Sequence, residues 1–169
     1  MIRPIVTLGD PVLKAQARPI EPSERSGEAV QTLARDMFET LAHAGGVGLA
    51  APQVGVSVRL ILAGSFPTPN APDRPHVPMS AMINPRIVWA SDETEPGWEG
   101  CLSFLQYRVR VSRAKAIRVA FVHLDGTTSE IEATGFYARV LQHEIDHLDG
   151  ILTLDRAASS EDIEPSGRE

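Results

Sequence analysis

Two histidines four residues apart, His143 and His147, stand in the sequence with a glutamate, Glu144, directly after the first. On an α-helix, residues four apart project from the same face about one turn from each other, so both imidazoles can reach one metal ion. Glu144 can then lie beside a metal-bound water and accept its proton. Apolar residues flank the motif, and burying two unpartnered histidines and an acid would be costly. The pattern therefore predicts a metal site on a helix.

A catalytic metal site needs a third protein ligand and an open position for water. Four downstream acidic residues are candidates, namely Asp155, Glu161, Asp162 and Glu164. The upstream candidate is the single cysteine, Cys101, in a glycine-containing stretch that we expect to be a loop able to reach the helix. A lone cysteine is more often a small buried residue. Cys101 by itself therefore does not decide the third ligand.

The elements that position these residues follow from apolar periodicity. The histidine motif lies in a predicted helix from about residue 136 to residue 149, ending at Gly150, and its apolar residues face more than one side, so it should be buried nearly all round. An amphipathic helix is predicted over 23–44, an exposed proline-rich loop over 65–78, and a hairpin around Asp125-Gly126. Further short strands are expected near 59–63, 81–89 and 107–111.

These elements predict the α+β class, with mixed or antiparallel sheets packed around a central, buried C-terminal helix that carries the histidine motif. We expect one catalytic domain over 1–156 and a frayed, acidic tail over 157–169.

The composition limits the possible partners and compartment. The 169 residues include 16 basic and 22 acidic side chains, a net charge of −6, without a lysine and arginine cluster. This argues against nucleic acid or an anionic membrane as the main partner. A single cysteine rules out an internal disulfide, and no apolar run resembles a signal peptide or a membrane span. We expect a cytoplasmic protein.

Three segments of the chain resemble the signature motifs of the peptide deformylases. They are Gly46-Val47-Gly48-Leu49-Ala50-Ala51-Pro52-Gln53, Glu99-Gly100-Cys101-Leu102-Ser103 and Gln142-His143-Glu144-Ile145-Asp146-His147-Leu148. The resemblance covers nearly the whole chain except the proline-rich loop and the tail. One departure follows the second motif, where many members have a proline and this chain has Phe104-Leu105-Gln106-Tyr107.

The resemblance implies removal of the formyl group from the N-terminal formyl-methionine of new polypeptides, with release of formate. It implies that Cys101, His143 and His147 bind one divalent metal ion, Fe²⁺ in the cell, although Zn²⁺, Ni²⁺ or Co²⁺ also suit these ligands. Metal-bound hydroxide would attack the formyl carbon, with Glu144 as general base and then acid.

The resemblance also implies roles around the metal. The Gln53 side chain and the Leu102 N–H would stabilise the oxyanion, and Gly48 would line the path of the substrate backbone. The methionine pocket would be formed by Val47, Phe136 and Val140, although core packing explains these three equally well. Glu99 and Ser103 are expected to orient the ligands, and Arg108 is a substrate contact or a solvated strand residue. Formyl-methionyl nascent chains are the expected partners, with transient ribosome association and no membrane or direct nucleic-acid contact.

Three other hypotheses remain at this point. A metallopeptidase would bind its metal with His143, His147 and a glutamate of the tail. A cysteine hydrolase would use Cys101 as nucleophile with a histidine and would work without metal. A non-catalytic module would hold a closed, four-ligand structural metal.

Overall fold

The computed structural model describes residues 1–168, in which seven strands lie along the chain between the two long helices, and one short helix and a last strand follow them. The helices are α1 (Glu28–Ala44), α2 (Gly135–Leu148) and α3 (Thr153–Arg156). The strands are β1 (Gly48–Ala50), β2 (Leu60–Ser65), β3 (Val77–Ala90), β4 (Thr94–Cys101), β5 (Phe104–Ala114), β6 (Ala116–Val122), β7 (Thr128–Thr134) and β8 (Ile163–Pro165). The predicted α+β class is confirmed.

The larger sheet has the strand order β1-β2-β3-β6-β7, and all neighbouring strands are antiparallel. Every residue of β2 is buried. Successive side chains of a strand point to opposite faces, so Leu60 and Leu62 pack in the cluster that contains α1. Ile61 and Ala63 pack in the cluster that contains α2. The sheet therefore lies between the two long helices, which explains the apolar character of β2.

Helix α2 packs on the sheet face opposite α1, and ten of its fourteen residues are buried. It begins one residue before the predicted start and ends one residue before the predicted end. Gly150 follows it with φ +71°, and a Cβ there would lie 2.7 Å from the carbonyl carbon of Lys14. Glycine is the residue that tolerates both this backbone conformation and this approach. The end of the histidine helix is thus fixed by the backbone near the start of the chain.

The smaller sheet has the order β4-β5-β8 and positions Cys101. Cys101 is the last residue of β4 and is paired with Phe104, the first residue of β5, across a turn at Leu102 and Ser103. The expected loop before Cys101 is therefore a strand. Its Pro96, Gly97 and Gly100 obscure the alternation that would have predicted it, and Phe104 turns back at once to pack with Cys101.

The prediction of a frayed tail is wrong for residues 160–165. Residues 160–162 form a 3-10 turn, and β8 pairs with β5 in the register Arg108 opposite Glu164. The acidic residues that made this segment look solvated face arginines, because Glu164 binds Arg108 and Asp162 lies 2.7 Å from Arg110 Nη2. The tail therefore adds an edge strand to the smaller sheet. Residue 169 lies outside the described residues.

Candidate metal centre

Three side chains from two distant segments converge at one point. Ligand atoms of Cys101, His143 and His147 all lie within 4.8 Å of one another, and Cys101 Sγ is 3.4 Å from His147 Nε2. Helix α2 presents both imidazoles on one face, with ring centroids 5.0 Å apart, and the end of β4 adds the sulfur. A thiolate with two imidazoles is a donor set for Zn²⁺, Fe²⁺ and related ions. These residues therefore fit a divalent metal with a further position free for water.

The acidic candidates for the third ligand are placed elsewhere. Asp155 pairs with Lys14, Asp162 with Arg110, and Glu164 with Arg108. Glu161 is exposed. The structure thus brings the upstream cysteine, and none of the tail carboxylates, to the two histidines.

Glu144 lies beside the three candidate ligands. Its side chain is buried, and Oε2 makes no hydrogen bond within the described residues. A Cβ on Gly48 would lie 2.8 Å from Glu144 Cδ, so only glycine leaves room for this carboxyl group. Burial raises the pKa of Glu144 to about 7, against the lowering effect of the nearby His143. A buried carboxyl with an unused oxygen next to a metal site is placed to exchange protons with a water molecule there.

Glu99 links the metal site to a buried network of charges. Its Oε1 lies 2.9 Å from His143 Nδ1, and its two oxygens accept hydrogen bonds of 2.9 Å from Arg113. Arg139 Nη1 donates to Glu99 Oε2 at 2.7 Å. Burial would raise the pKa of Glu99, but the hydrogen bonds from Arg113 and His143 lower it well below its ordinary value. Glu99 is therefore an ionised acceptor that orients the His143 ring.

The two histidines differ in their electrostatic surroundings. Burial would lower the pKa of His143, but hydrogen bonds with Cys101 and Glu99 raise it well above the ordinary value. Burial and the charge of His143 lower the pKa of His147 well below that value. Of the two rings, His143 is the one that is hydrogen-bonded to a carboxylate, that of Glu99. The buried Nδ1 of His147 makes no hydrogen bond within residues 1–168.

The Gln53 amide is held with its NH₂ group facing the sulfur. Its Oε1 accepts the Ala50 N–H at 2.9 Å, and its Nε2 lies 3.2 Å from Ser103 Oγ and 3.6 Å from Cys101 Sγ. Gln53 sits in a buried 3-10 turn directly after β1. One edge of the site is thus formed by an oriented hydrogen-bond donor.

A cavity of about 280 Å³ opens onto this site. It is lined by residues predicted from the sequence, namely Val47, Gly48, Gln53, Cys101, Leu102, Phe136, Val140, His143 and Glu144. The sequence did not indicate the other walls, which include Phe66, Thr68, Arg74, Trp98, Arg139 and Arg168. These residues come from the proline-rich loop, from β4, from α2 and from the tail. Two of them lay close enough to a motif to be suspected, namely Trp98, directly before the second motif, and Arg139, three residues before the third.

Two polar residues have roles that the sequence left open. Arg108 is absent from the cavity wall, pairs with Glu164 and lies with its guanidinium carbon 4.9 Å from the centre of the Trp98 ring. Asp146 is buried between Arg113 and Arg156. Arg113, Arg139 and Arg156 were not predicted to support the site, because an arginine in a strand or helix gives no sign in the sequence of which carboxylate it meets.

A histidine pair on a buried helix, a cysteine ligand, a buried acid and an adjoining cavity together are typical of a metal-dependent hydrolase. The fold and the site thus define a protein of this class.

Comparisons with known proteins agree on one family. The model of the polypeptide deformylase family matches residues 2–162. Peptide deformylase of Dictyoglomus thermophilum is 48% identical over 157 residues, which cover 93% of this chain and 94% of the relative. Peptide deformylase 2 of Nostoc sp. is 43% identical over 157 residues, covering 93% of this chain and 87% of the relative.

Solved structures show the same fold. The Met-Ala-Ser-bound crystal structure of the class I type b peptide deformylase from Acinetobacter baumannii superposes with a TM-score of 0.89 at 40% identity, covering 92% of this chain and 98% of that one. The chain belongs to the peptide deformylase family of enzymes. None of the helices in residues 1–168 is both long and apolar enough to cross a bilayer.

Proposed function

We propose that this chain hydrolyses the formyl group from the N-terminal formyl-methionine of newly made polypeptides. The observation that carries the proposal is the position of Glu144, whose free Oε2 lies buried beside the three convergent ligand atoms and on the wall of the cavity. Water adds to the formyl carbon, the carbon–nitrogen bond breaks, and formate and a free amine are released.

Cys101, His143 and His147 would hold the metal, which supplies the Lewis acidity that activates water and polarises a carbonyl near neutral pH. Glu144 takes the proton of the attacking water on its free oxygen and then delivers it to the departing nitrogen. An amine anion is a very poor leaving group, so this delivery is needed for the bond to break. Gly48 keeps the space in which the carboxyl group can do both.

Gln53 and Leu102 stabilise the negative charge that develops on the formyl oxygen. The Gln53 NH₂ is already directed toward the sulfur because its carbonyl oxygen is bound by Ala50. The Leu102 N–H follows the metal ligand directly, and Leu102 lies on the cavity wall. Loss of one such donor typically costs about 3 to 4 kcal/mol of barrier.

The substrate fits between a sheet edge and an apolar pocket. β1 is the terminal strand of the larger sheet, so its outer edge can pair with the extended backbone of a peptide. Val47, Phe136 and Val140 supply the apolar wall for the methionine side chain. The Acinetobacter baumannii structure with Met-Ala-Ser supports a product of this kind.

Fe²⁺ is the metal that we propose in the cell, and Zn²⁺, Ni²⁺ or Co²⁺ fit the same thiolate and imidazole donors in purified protein. The proposed substrates are nascent chains in the cytoplasm, with transient association with the ribosome. A cysteine hydrolase is the competing mechanism, because Cys101 Sγ lies 3.4 Å from His147 Nε2.

One assay separates these mechanisms. Formate release from formyl-methionyl-alanyl-serine is measured with metal-loaded protein, with chelator-treated protein and with metal-loaded Glu144→Gln. The proposal expects rapid release in the first sample only, and recovery when metal is returned to the second. Equal rates in all three would defeat it, and full activity after chelation would favour the cysteine nucleophile.

A further inference from the structure

The mouth of the cavity carries two arginines that the proposed chemistry does not use. We propose that Arg74 and Arg168 form a cationic mouth that favours formyl-methionyl peptides with a carboxylate among the residues after methionine. This inference rests on the proposed deformylation and adds a preference within it. Both side chains line the cavity, and both come from segments outside the three motifs that surround the metal.

Arg74 is held over the apolar wall by the loop between β2 and β3. The loop is closed by a 2.6 Å hydrogen bond from Ser65 Oγ to the Pro75 carbonyl and by two backbone hydrogen bonds between Thr68 and Ala71. The guanidinium carbon of Arg74 lies 4.0 Å from the centre of the Phe136 ring. A cation at this distance is attracted by the ring face, so Arg74 is fixed at the opening of the proposed methionine pocket.

Arg168 is brought to the same cavity by the tail. After β8 pairs with β5, the Ser166 N–H donates to the Gln106 carbonyl at 2.9 Å, and the Arg168 N–H donates to Ser166 Oγ at 3.1 Å. The backbone is therefore anchored up to Arg168, whose side chain is exposed and lines the cavity. Pairing of β8 with β5 thus places Arg168 as a second cation at the mouth of the cavity.

No carboxylate among residues 1–168 forms an ion pair with either of these two arginines. Within the same residues the exposed Asp73 beside Arg74 forms none either. The neighbouring Arg108 and Arg110 differ, because the tail carboxylates of Glu164 and Asp162 bind them.

The two carboxylates that line the cavity do not neutralise the positive charge of Arg74 and Arg168. Glu99 is bound by Arg113, Arg139 and His143, and Glu144 is buried beside the metal ligands. The positive charge at the mouth therefore remains available to a ligand, although the chain as a whole has a net charge of −6.

A carboxylate is the ligand group that fits two unpaired guanidinium groups, because the planar fork of arginine matches its two oxygens. In a formyl-methionyl peptide this group can be an aspartate or glutamate side chain or, in a short peptide, the C-terminal carboxylate. The experiment must separate these two sources, because a growing polypeptide offers only the side chains.

The test compares kcat/KM for matched peptides with metal-loaded enzyme. One pair is formyl-Met-Ala-Ser with a free or an amidated C-terminus, and the other is formyl-Met-Ala-Glu-Ser amide against its Gln counterpart. From the usual strength of exposed ion pairs, each arginine should contribute about two- to fivefold in favour of the charged peptide. The preference should shrink as salt rises from low to about 1 M, because salt screens exposed charges.

Arg74→Gln, Arg168→Gln and the double variant should bring the charged-to-neutral ratio toward one, with the double variant lowest. Arg35→Gln is the matched control, because Arg35 is an exposed arginine of α1 that does not line the cavity, and it should keep the wild-type ratio. A wild-type ratio near one, a ratio independent of salt, or variants that retain the ratio would each overturn the inference. Hydrolysis of every peptide at equal rates leaves the deformylase proposal intact, whereas hydrolysis of none defeats that proposal instead.

Discussion

Glu99 Oε1 lies 2.9 Å from Nδ1 of His143, so this candidate metal ligand is hydrogen-bonded to a carboxylate that two buried arginines also bind. Hydrogen bonds of this kind fix the orientation of a ligating imidazole and raise its basicity. The same carboxylate therefore connects helix α2 to the strand that carries Cys101.

Replacing Glu99 with Gln should weaken metal binding by about 10- to 100-fold, the usual cost of losing such a partner. The amide can still accept from His143 but no longer carries the charge that Arg113 and Arg139 face. Competition with a chelator measures the affinity. The control is Glu93→Gln, since Glu93 is an exposed residue paired with Lys115. Equal metal affinity in both variants would contradict the role given to Glu99.

Gly48→Ala should lower kcat by roughly 10- to 100-fold while metal content stays near one ion per chain, because the added methyl group displaces the Glu144 carboxyl from its place. Steady-state kinetics and metal analysis provide the two readouts. Gly48→Ala should cost less in a Glu144→Asp background than in the wild-type background, because the shorter acid removes part of the clash. Strictly additive losses would speak against a direct contact between these residues.

Arg113→Ala should destabilise the chelator-treated protein by about 3 to 5 kcal/mol, because it leaves two buried carboxylates, Glu99 and Asp146, without their shared cation. Urea unfolding gives the free energy. Arg35→Ala removes an exposed arginine from α1 and should change that free energy by no more than about 0.5 kcal/mol. A similar small change for both would mean that Arg113 is not holding the buried charges together.

Docking of the tail should be lost in acid. The hydrogen bond from Arg110 holds the pKa of Asp162 below its ordinary 3.8, so the interaction is complete above that value and disappears as the pH falls through the folded-state pKa. Hydrogen exchange of the Ile163, Glu164 and Ser166 amides, labelled after brief exposure to each pH, reports the detachment of β8.

Two variants test whether this carboxylate is the cause. Asp162→Asn should raise exchange of the Ile163, Glu164 and Ser166 amides already at neutral pH, whereas Glu161→Gln should not, because Glu161 is exposed and its side chain forms no ion pair within residues 1–168. Protection that persists unchanged in Asp162→Asn would show that backbone pairing alone holds the tail.

Local patterns in the sequence were sufficient for the elements with regular periodicity. Helix α2 and the Asp125-Gly126 turn between β6 and β7 lie close to where they were predicted, and α1 ends at the predicted residue but begins five residues later than predicted. β4 was missed because its side-chain pattern is interrupted by glycine and proline, and its strand geometry comes from pairing with β5. The tail was misjudged because strand pairing with a distant partner leaves no periodic trace in three residues.

The sequence by itself predicted a metal site on helix α2, because two histidines four residues apart project from the same face of a helix wherever that helix packs. The tertiary structure decided that Cys101, and none of the tail carboxylates, joins them. Only the tertiary structure decided which arginines stand behind Glu99, that Gly48 makes room for Glu144, and that the tail carries Arg168 to the cavity. These relationships join residues that are far apart in the chain. The residues next to an arginine or a glycine in the sequence do not indicate which distant residue it contacts. Only the packing of the folded chain decides that contact.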